Sequence, residues 1–207
     1  MKYQDNIGAT FENMATETPA NAPAVEFPRD YRAKLSQTLA AIDLEVVGRA
    51  IEILRAARDT QHHIFTCGNG GSASTASHFV TDMVKGASFG RDTRFRIMAL
   101  TDSLPTITAY SNDISYDCVF TEQLKNFAEP GDVLIAISGS GNSPNVVSAV
   151  EYANQAGCTT IALTGRDGGK LGPLAKLEIR ARDSHMGRIE DAHLFICHMM
   201  CYYFMEQ

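Results

Sequence analysis

Hydrophobic and polar positions along the chain repeat with two periods. From about Asp30 to Thr60 apolar residues recur every three or four positions, which predicts one long amphipathic helix. Further helices are predicted at about 72–85, 118–127, 143–155 and 188–205. Short, continuous apolar runs between them predict strands at 63–67, 95–100, 132–138, 158–164 and 177–181.

This alternation predicts the fold class. Continuous apolar strands separated by helices are typical of a parallel sheet covered on both faces. We therefore predict a three-layer α/β/α sandwich of flavodoxin-like type, with about five parallel strands and a long N-terminal helix. Residues 1–28, rich in Ala, Thr and Pro, are predicted to be a flexible arm, and residues 29–207 a single domain.

Composition excludes several classes of protein. The net charge is −6 and the 18 Lys and Arg residues are scattered, so no nucleic-acid surface is expected. No run of about 18 apolar residues occurs, so no membrane span is expected. The five cysteines lack C-x-x-C spacing, and the first residues lack the basic and apolar regions of a secretory signal. These features predict a reduced, cytoplasmic protein.

Two glycine- and serine-rich loops follow strands of the predicted sheet. They are "CGNGGSAS", which begins at Cys67, and "ISGSGNSPN", which begins at Ile137. Glycine lets the backbone approach an anion, amides at a helix N-terminus point toward it, and serines add hydroxyl donors. Ser143 is a suitable N-cap and Pro144 suits the first helical position. A phosphate site is indicated, although either loop by itself could be a tight strand-to-helix turn.

Five segments together resemble one family. They are "GNGGSASTASHF", "SNDISYD", "PGDVLIAISGSGNSPNVVSAVEYANQAG", "TIALTGRDGGKL" and "RIEDAHLFICH". The chain resembles the sugar isomerase (SIS) domain, in its phosphoheptose isomerase branch, from about Asp30 to the C-terminus. The resemblance implies interconversion of sedoheptulose 7-phosphate with a heptose 7-phosphate aldose, and homotetramers whose active sites are shared between subunits. The branch also contains non-catalytic proteins that bind a sugar phosphate or dock to the replication initiator protein.

The resemblance also implies which residues bind a phosphorylated sugar. The loop "ISGSGNSPN", called the serine loop below, would hold the phosphate. Gly139 in this loop stands where the family often has Thr. The first loop and "SNDIS" would contact the sugar. The predicted substrate-binding residues are Asn69, Gly70, Gly71, Ser72, Asp113, Ser138, Gly139, Ser140, Ser143 and Glu190.

The catalytic pair implied by the resemblance is Asp82 and His198, and the implied metal set is His78, Asp82, Glu190 and His198, with one zinc ion per subunit. Asp82 replaces a Glu of the family and Glu190 replaces a Gln. Glu190 and His198 are eight residues apart, about 12 Å along an ideal helix, so both reach one ion only if the helix begins later or long side chains converge.

Two functions therefore remain open from the sequence. Retention of His78 and His198 favours an isomerase. The changes at Asp82 and Glu190, and Gly187 where the family carries an acidic residue, favour a non-catalytic sensor or docking protein. His62, His63 and His193 are interpreted as structural, whereas His185 could be structural or touch substrate.

Overall fold

The structure is a computed structural model and describes residues 23–207. Most of the predicted arm, residues 1–22, lies outside the described residues, and Glu26–Pro28 already belong to the first helix. The helices are α1 (Glu26–Ala40), α2 (Leu44–Asp59), α3 (Gly71–Thr81), α4 (Leu104–Asp113), α5 (Thr121–Phe127), α6 (Pro144–Gln155), α7 (Leu171–Leu174) and α8 (Met186–Met205).

The predicted parallel sheet is confirmed. Its strands are β1 (His63–Gly68), β2 (Arg96–Ala99), β3 (Val133–Ser138), β4 (Thr159–Gly165) and β5 (Leu177–Ala181). All pairs are parallel and the order is β2-β1-β3-β4-β5. The chain leaves β1 for one edge and returns to pair β1 with β3, so the strand order reverses beside β1. Ligands of such sheets bind at the carboxyl ends of the strands next to this reversal.

Two apolar clusters cover the two faces of the sheet. Because successive side chains of a strand point to opposite faces, Ile64 and Ile135 join one cluster while Phe65 and Leu134 join the other. Helices α2, α3 and α8 pack on the first face, and α5, α6 and α7 on the second. The three-layer prediction is therefore confirmed.

The prediction of one long N-terminal helix was wrong, because the segment forms two helices, α1 and α2. They are separated at residues 41–43, where Asp43 is the N-cap of α2 and its carboxylate accepts hydrogen bonds from the backbone N–H groups of Glu45 and Val46. Aspartate is a favoured N-cap, and it lies within an apolar repeat that continues across the break. Periodicity alone could not reveal that break.

Three further segments differ from the prediction. Helix α4 was missed because its apolar face is short, and the residues on it that reach the second cluster, Ile107 and Tyr110, are only partly buried. The helix expected at 118–127 is a 3₁₀ turn, Tyr116–Cys118, followed by α5. The helix expected at 72–85 is α3, followed by one wide π turn, Asp82–Gly86. Such turns occur frequently at functional sites.

Within residues 23–207, the structure contains no helix with the length and apolar character needed to cross a bilayer. All five cysteines are free thiols, four of them buried.

Candidate functional site

The glycine loop, Gly68–Ser72, joins β1 to α3. Gly70 has φ +54°, a conformation that favours glycine, and this lets the chain turn sharply into the helix. The Ser72 amide donates to the Asn69 carbonyl at 3.0 Å, and Ser72 is buried. The loop therefore presents the N-terminus of α3, with its positive dipole end, at the carboxyl edge of the sheet.

The serine loop, Ser138–Ser143, joins β3 to α6 at the same edge. Ser143 and Pro144 begin α6 as predicted, but the Ser143 hydroxyl does not cap the helix. It lies 3.2 Å from the Ser138 hydroxyl, which is 3.5 Å from the Ser140 hydroxyl. Three hydroxyl groups thus converge beside a helix N-terminus, an arrangement suited to an anion.

Two neighbouring segments hold the serine loop in place. Gly141 has φ +65°, and a side chain there would collide with the Gly168 carbonyl oxygen. Its own carbonyl accepts the Leu171 amide at 2.9 Å. A Cβ at Gly139 would lie 2.6 Å from Sδ of Met186, which begins α8. The space of the family's threonine is therefore occupied by a methionine in this chain.

Two residues that the sequence analysis missed connect the loops. The amides of Asn69 and Asn145 exchange hydrogen bonds at 2.8 and 2.9 Å, and the Tyr116 hydroxyl donates to Oδ1 of Asn69 at 2.8 Å. Tyr116 lies within the quoted "SNDISYD" segment and Asn145 directly follows Pro144. Both were treated as parts of motifs, because no feature of a sequence shows which polar side chains meet across two loops.

A cluster of two histidines and one carboxylate lies further along α3 and α8. Nε2 of His78 is 3.1 Å from Nε2 of His198 and 3.2 Å from Oδ2 of Asp82, and the His198 nitrogen is 3.8 Å from the same oxygen. His78 lies on α3, and Asp82 follows it by four residues, at the start of the π turn. Cys201 contacts the Asp82 carboxylate with its thiol at 3.6 Å, and burial followed by the Asp82 charge raises the pKa of this thiol to about 12.

The donor set of this cluster fits a divalent ion. The three ligand atoms lie within 4.8 Å of one another. Two imidazole nitrogens and a carboxylate oxygen suit zinc and related metals. One proton can join the two facing nitrogens, whereas a cation between the three atoms would use a lone pair from each. The cluster is therefore a candidate metal site made by His78, Asp82 and His198.

Glu190 lies apart from this cluster. Helix α8 begins at Met186, before Glu190, so the eight residues to His198 are all helical. The Glu190 carboxylate lies against the glycine loop instead, where a Cβ on Gly71 would be 2.9 Å from its Oε1. The predicted four-residue metal set is thus not assembled within one chain, although Glu190 does join the predicted substrate loops.

Other predicted site residues lie as follows. Asp113 ends α4, and its carboxylate accepts a hydrogen bond from Asn112 rather than from either loop. His185 is the N-cap residue of α8, with its ring edge on Tyr31. His193 is buried, and its ring nitrogen donates to the Thr164 carbonyl at 2.9 Å. Burial lowers the pKa of His193 to about 4, so it stays neutral and structural, as predicted.

The model of the SIS domain matches residues 26–165. The chain belongs to the SIS-domain family. The phosphoheptose isomerase of Coxiella burnetii is 38% identical over 177 residues, which are 83% of this chain and 88% of that protein. This places the SIS domain in the phosphoheptose isomerase branch.

Solved structures of the branch have the same fold. The phosphoheptose isomerase of Neisseria gonorrhoeae superimposes with a TM-score of 0.81 at 33% identity, over 88% of this chain and 97% of that one. A phosphoheptose isomerase from Francisella tularensis superimposes with a TM-score of 0.83 at 26% identity, over 90% of this chain and 100% of that one. The SIS domain described here is therefore similar to these enzymes over nearly their whole length.

The third departure of this SIS domain from its family is also explained by packing. A Cβ at Gly187 would lie 3.0 Å from the Tyr31 hydroxyl and 3.3 Å from the His185 ring. The Tyr31 hydroxyl in turn donates to the Asp191 carboxylate at 2.6 Å. A side chain at position 187 would require these groups to shift by a few tenths of an ångström. Asp191 supplies a carboxylate beside Tyr31 at the surface of the same helix.

Proposed function

We propose that this protein is a phosphosugar aldose–ketose isomerase that interconverts sedoheptulose 7-phosphate and a heptose 7-phosphate aldose. The observation that carries this proposal is the His78–Asp82–His198 cluster, in a chain of the phosphoheptose isomerase branch that also carries two anion-type loops. The loops and the cluster supply the two things that the reaction needs. These are an anchor for the phosphate and groups that can move a proton between carbons.

Each part of the site has a role in this proposal. Ser138, Ser140 and Ser143 donate hydrogen bonds to the phosphate, and the N-terminus of α6 favours its negative charge. Asn69, Ser72 and Glu190 contact the sugar hydroxyls. Asp82 or His198 then takes a proton from one of the carbons C1 and C2 and returns it to the other through a cis-enediol, while the proton of the hydroxyl group passes to the former carbonyl oxygen.

The metal in this proposal is one zinc ion per site, held by His78, Asp82 and His198. A zinc ion, when bound, acts as a Lewis acid toward the oxygens on C1 and C2. The side chain of Asp82 is one methylene shorter than the family's Glu. Its contacts with His78 and the Cys201 thiol hold the carboxylate beside both histidines.

The dimensions of one chain support an active site shared between subunits. Met186 touches the serine loop, and His198 lies twelve residues later on α8, about 18 Å along the helix. From C1 to phosphorus, a seven-carbon sugar phosphate has eight bonds of about 1.5 Å, a contour of about 12 Å. Measured along α8, this separation exceeds the length of one substrate, which favours a site completed by a second subunit. We propose a homotetramer in which the loops of one subunit face the cluster of another.

Subunit complementation tests this sharing. The double variant Ser138→Ala and Ser143→Ala disables the serine loop and His198→Ala disables the cluster, so each variant alone should lose most of its activity. In mixed oligomers about a quarter of shared sites would combine an intact loop with an intact cluster, and activity should return. If both halves came from one chain, no mixed oligomer would contain an intact site and the mixture would stay inactive. Sedimentation of the wild-type protein checks the expected mass of four 22.5 kDa chains.

Isotope exchange tests the reaction. The wild-type protein in deuterated water should exchange the C1 proton of sedoheptulose 7-phosphate, measured by NMR with and without added zinc. Asp82→Asn and His198→Ala should remove the exchange. Binding of the sugar phosphate without exchange would contradict the isomerase and favour the non-catalytic sensor or docking protein. We also place the protein in the cytoplasm, since its five free thiols suit a reducing compartment.

A further inference from the structure

We propose that Tyr116 and Asn145 are positioning residues that fix the Asn69 side chain as a hydrogen-bond donor directed at the substrate. The three residues come from the 3₁₀ turn, the first turn of α6 and the glycine loop. This inference rests on the proposed function for its ligand, a phosphorylated sugar. The orientation of the Asn69 amide is independent of that function and is tested separately below.

The direction of every hydrogen bond in this network is set by one backbone group. The Val146 N–H can only donate, and it is shared between the Ser143 carbonyl at 3.1 Å and Oδ1 of Asn145 at 3.0 Å. The other end of the Asn145 amide is therefore Nδ2, which donates to Oδ1 of Asn69 at 2.9 Å. Since this oxygen can only accept, the Tyr116 hydroxyl must donate to it, at 2.8 Å.

The opposite orientation of the amides is unfavourable. If Asn145 were turned over, its NH₂ group would face the Val146 N–H, and two donors would be opposed. If Asn69 alone were turned over, its NH₂ group would face that of Asn145. Asn145 is 1% exposed, so water cannot relieve either mismatch. The orientation of the buried Asn145 amide is thus set by the Val146 N–H, and Asn145 in turn sets the orientation of the Asn69 amide.

The hydrogen-bonding capacity left on Asn69 is one N–H. Its oxygen already accepts two hydrogen bonds, from Asn145 and Tyr116, which is the capacity of a carbonyl oxygen. Its nitrogen donates one N–H to Oδ1 of Asn145 at 2.8 Å, and the second N–H remains. Asn69 is partly exposed, unlike Asn145. Asn69 should therefore meet an acceptor on the substrate, such as a carbonyl, hydroxyl or phosphate oxygen.

Tyr116 is the member of the network that can be changed with least disturbance. It is 46% exposed, so Tyr116→Phe removes the hydroxyl without opening a cavity. The variant leaves Asn69 held on one side only, and one lone pair of its oxygen becomes free. We expect KM for the sugar phosphate to rise about three- to tenfold, the effect of one neutral hydrogen bond. Inhibition by inorganic phosphate, which the serine loop would hold, should change less than about twofold.

A double-mutant cycle shows whether Tyr116 acts through Asn69. Tyr116→Phe, Asn69→Ala and the double variant are compared by KM, kcat and affinity for the sugar phosphate. Once Asn69 is alanine, loss of the Tyr116 hydroxyl should have no further effect. Additive effects, or an equal loss of phosphate affinity, would overturn the proposal. Tyr152→Phe is the matched control, because Tyr152 packs against the apolar cluster under α6 and should leave all values unchanged.

The orientation itself is measured by NMR of ¹⁵N-labelled, ligand-free protein. The side-chain NH₂ signal of Asn69 is assigned by its disappearance in Asn69→Ala. Tyr116→Phe should shift this signal and speed its exchange with water, whereas Tyr152→Phe should not. An unchanged signal would overturn the proposal even if the protein is an isomerase. A wild-type protein that neither binds nor converts a sugar phosphate would overturn the function instead, and the NMR result would still decide the positioning role.

Discussion

At the scale of single residues, the glycine at position 139 is explained by its contact with Met186, which is distant in the sequence. The backbone there is not in the left-handed region, so other residues could adopt it. The available space is what favours glycine, because the Met186 side chain fills the volume of a Cβ. The loop thus loses the hydroxyl donor of the family's threonine, and Ser138, Ser140 and Ser143 are the donors that remain.

Replacement of Gly139 by threonine should therefore be costly in this chain. We expect Gly139→Thr to lower the free energy of unfolding by about 1 kcal/mol, the lower end of the cost of overpacking, because the partly exposed Met186 side chain can move. Met186→Ala in the same chain should recover part of that loss, because it vacates the space. Urea unfolding of the wild-type protein, the two single variants and the double variant measures the coupling energy between positions 139 and 186.

The matched control is Gly48→Thr on α2, where an added Cβ meets no atom within 4 Å. This variant should not lower the stability. Equal losses at positions 48 and 139, or no coupling with Met186→Ala, would contradict the packing explanation.

At the scale of elements, one carboxylate joins α1 to the start of α8. Asp183 pairs through both oxygens with Arg188, at 2.7 and 2.8 Å, and accepts hydrogen bonds from Thr38 on α1 and from the His185 backbone N–H. Burial alone would raise the pKa of Asp183. The hydrogen bonds from Arg188, the His185 amide and Thr38 outweigh it and hold this pKa far below its usual range.

This pKa gives a stability that depends on pH. A carboxyl with a depressed folded-state pKa stabilises the native protein above its unfolded pKa, about 3.9, and loses that effect as the pH falls toward the folded value. Asp183→Asn should lower the free energy of unfolding at pH 7 by about 3 kcal/mol, since Arg188 is left in a largely buried position without its charge partner. Denaturation between pH 7 and 2 should show this difference shrinking below about pH 4. A difference that is constant across that range would exclude the carboxylate charge as its cause.

The break between α1 and α2 has its own local cause. Asp43 caps α2 through the amides of Glu45 and Val46, at 3.1 and 3.2 Å. Asp43→Ala should lower the free energy of unfolding by about 1 kcal/mol, and Asp43→Asn, which keeps the accepting oxygen, should lower it much less. Thermal unfolding monitored by circular dichroism compares the two. Equal losses in both variants would show that the negative charge, rather than the cap, matters.

At the scale of the whole molecule, binding of an anion at the serine loop should stabilise the native state. A ligand at 100 times its Kd adds about 2.7 kcal/mol, which for a chain of this length raises Tm by roughly 5–10 °C. Inorganic phosphate should raise Tm of the wild-type protein in this way. The double variant Ser138→Ala and Ser143→Ala should lose the shift.

Ser36→Ala provides the control for this experiment. The Ser36 hydroxyl bonds only within the exposed face of α1, to the Arg32 carbonyl. The Tm of the Ser36→Ala variant should rise with phosphate as it does in the wild-type protein. A shift that survives in the serine-loop variant would place the anion elsewhere on the molecule.

Local patterns in the sequence predicted most elements of the fold. Each strand was found within one residue of its observed bounds. The three central strands are buried along nearly their whole length and are therefore almost continuously apolar, whereas the edge strands β2 and β5 carry charged residues. The positions of the glycine and serine loops followed from their glycines and from the Ser143–Pro144 helix start. The contact between His78 and Asp82 agrees with their separation of four residues along a helical segment. Helix α4 was missed because its apolar face is short and only partly buried.

The sequence by itself determined the elements, the layer order and the types of side chain at the site, since each depends on residues that are close along the chain. Only the tertiary structure decided that His198 joins His78 and Asp82 while Glu190 contacts Gly71, that Met186 fills the space beside Gly139, and that Tyr116 and Asn145 meet Asn69. These contacts join residues up to 120 positions apart. They depend on how rigid helices cross a twisted sheet, and no local spacing records that geometry.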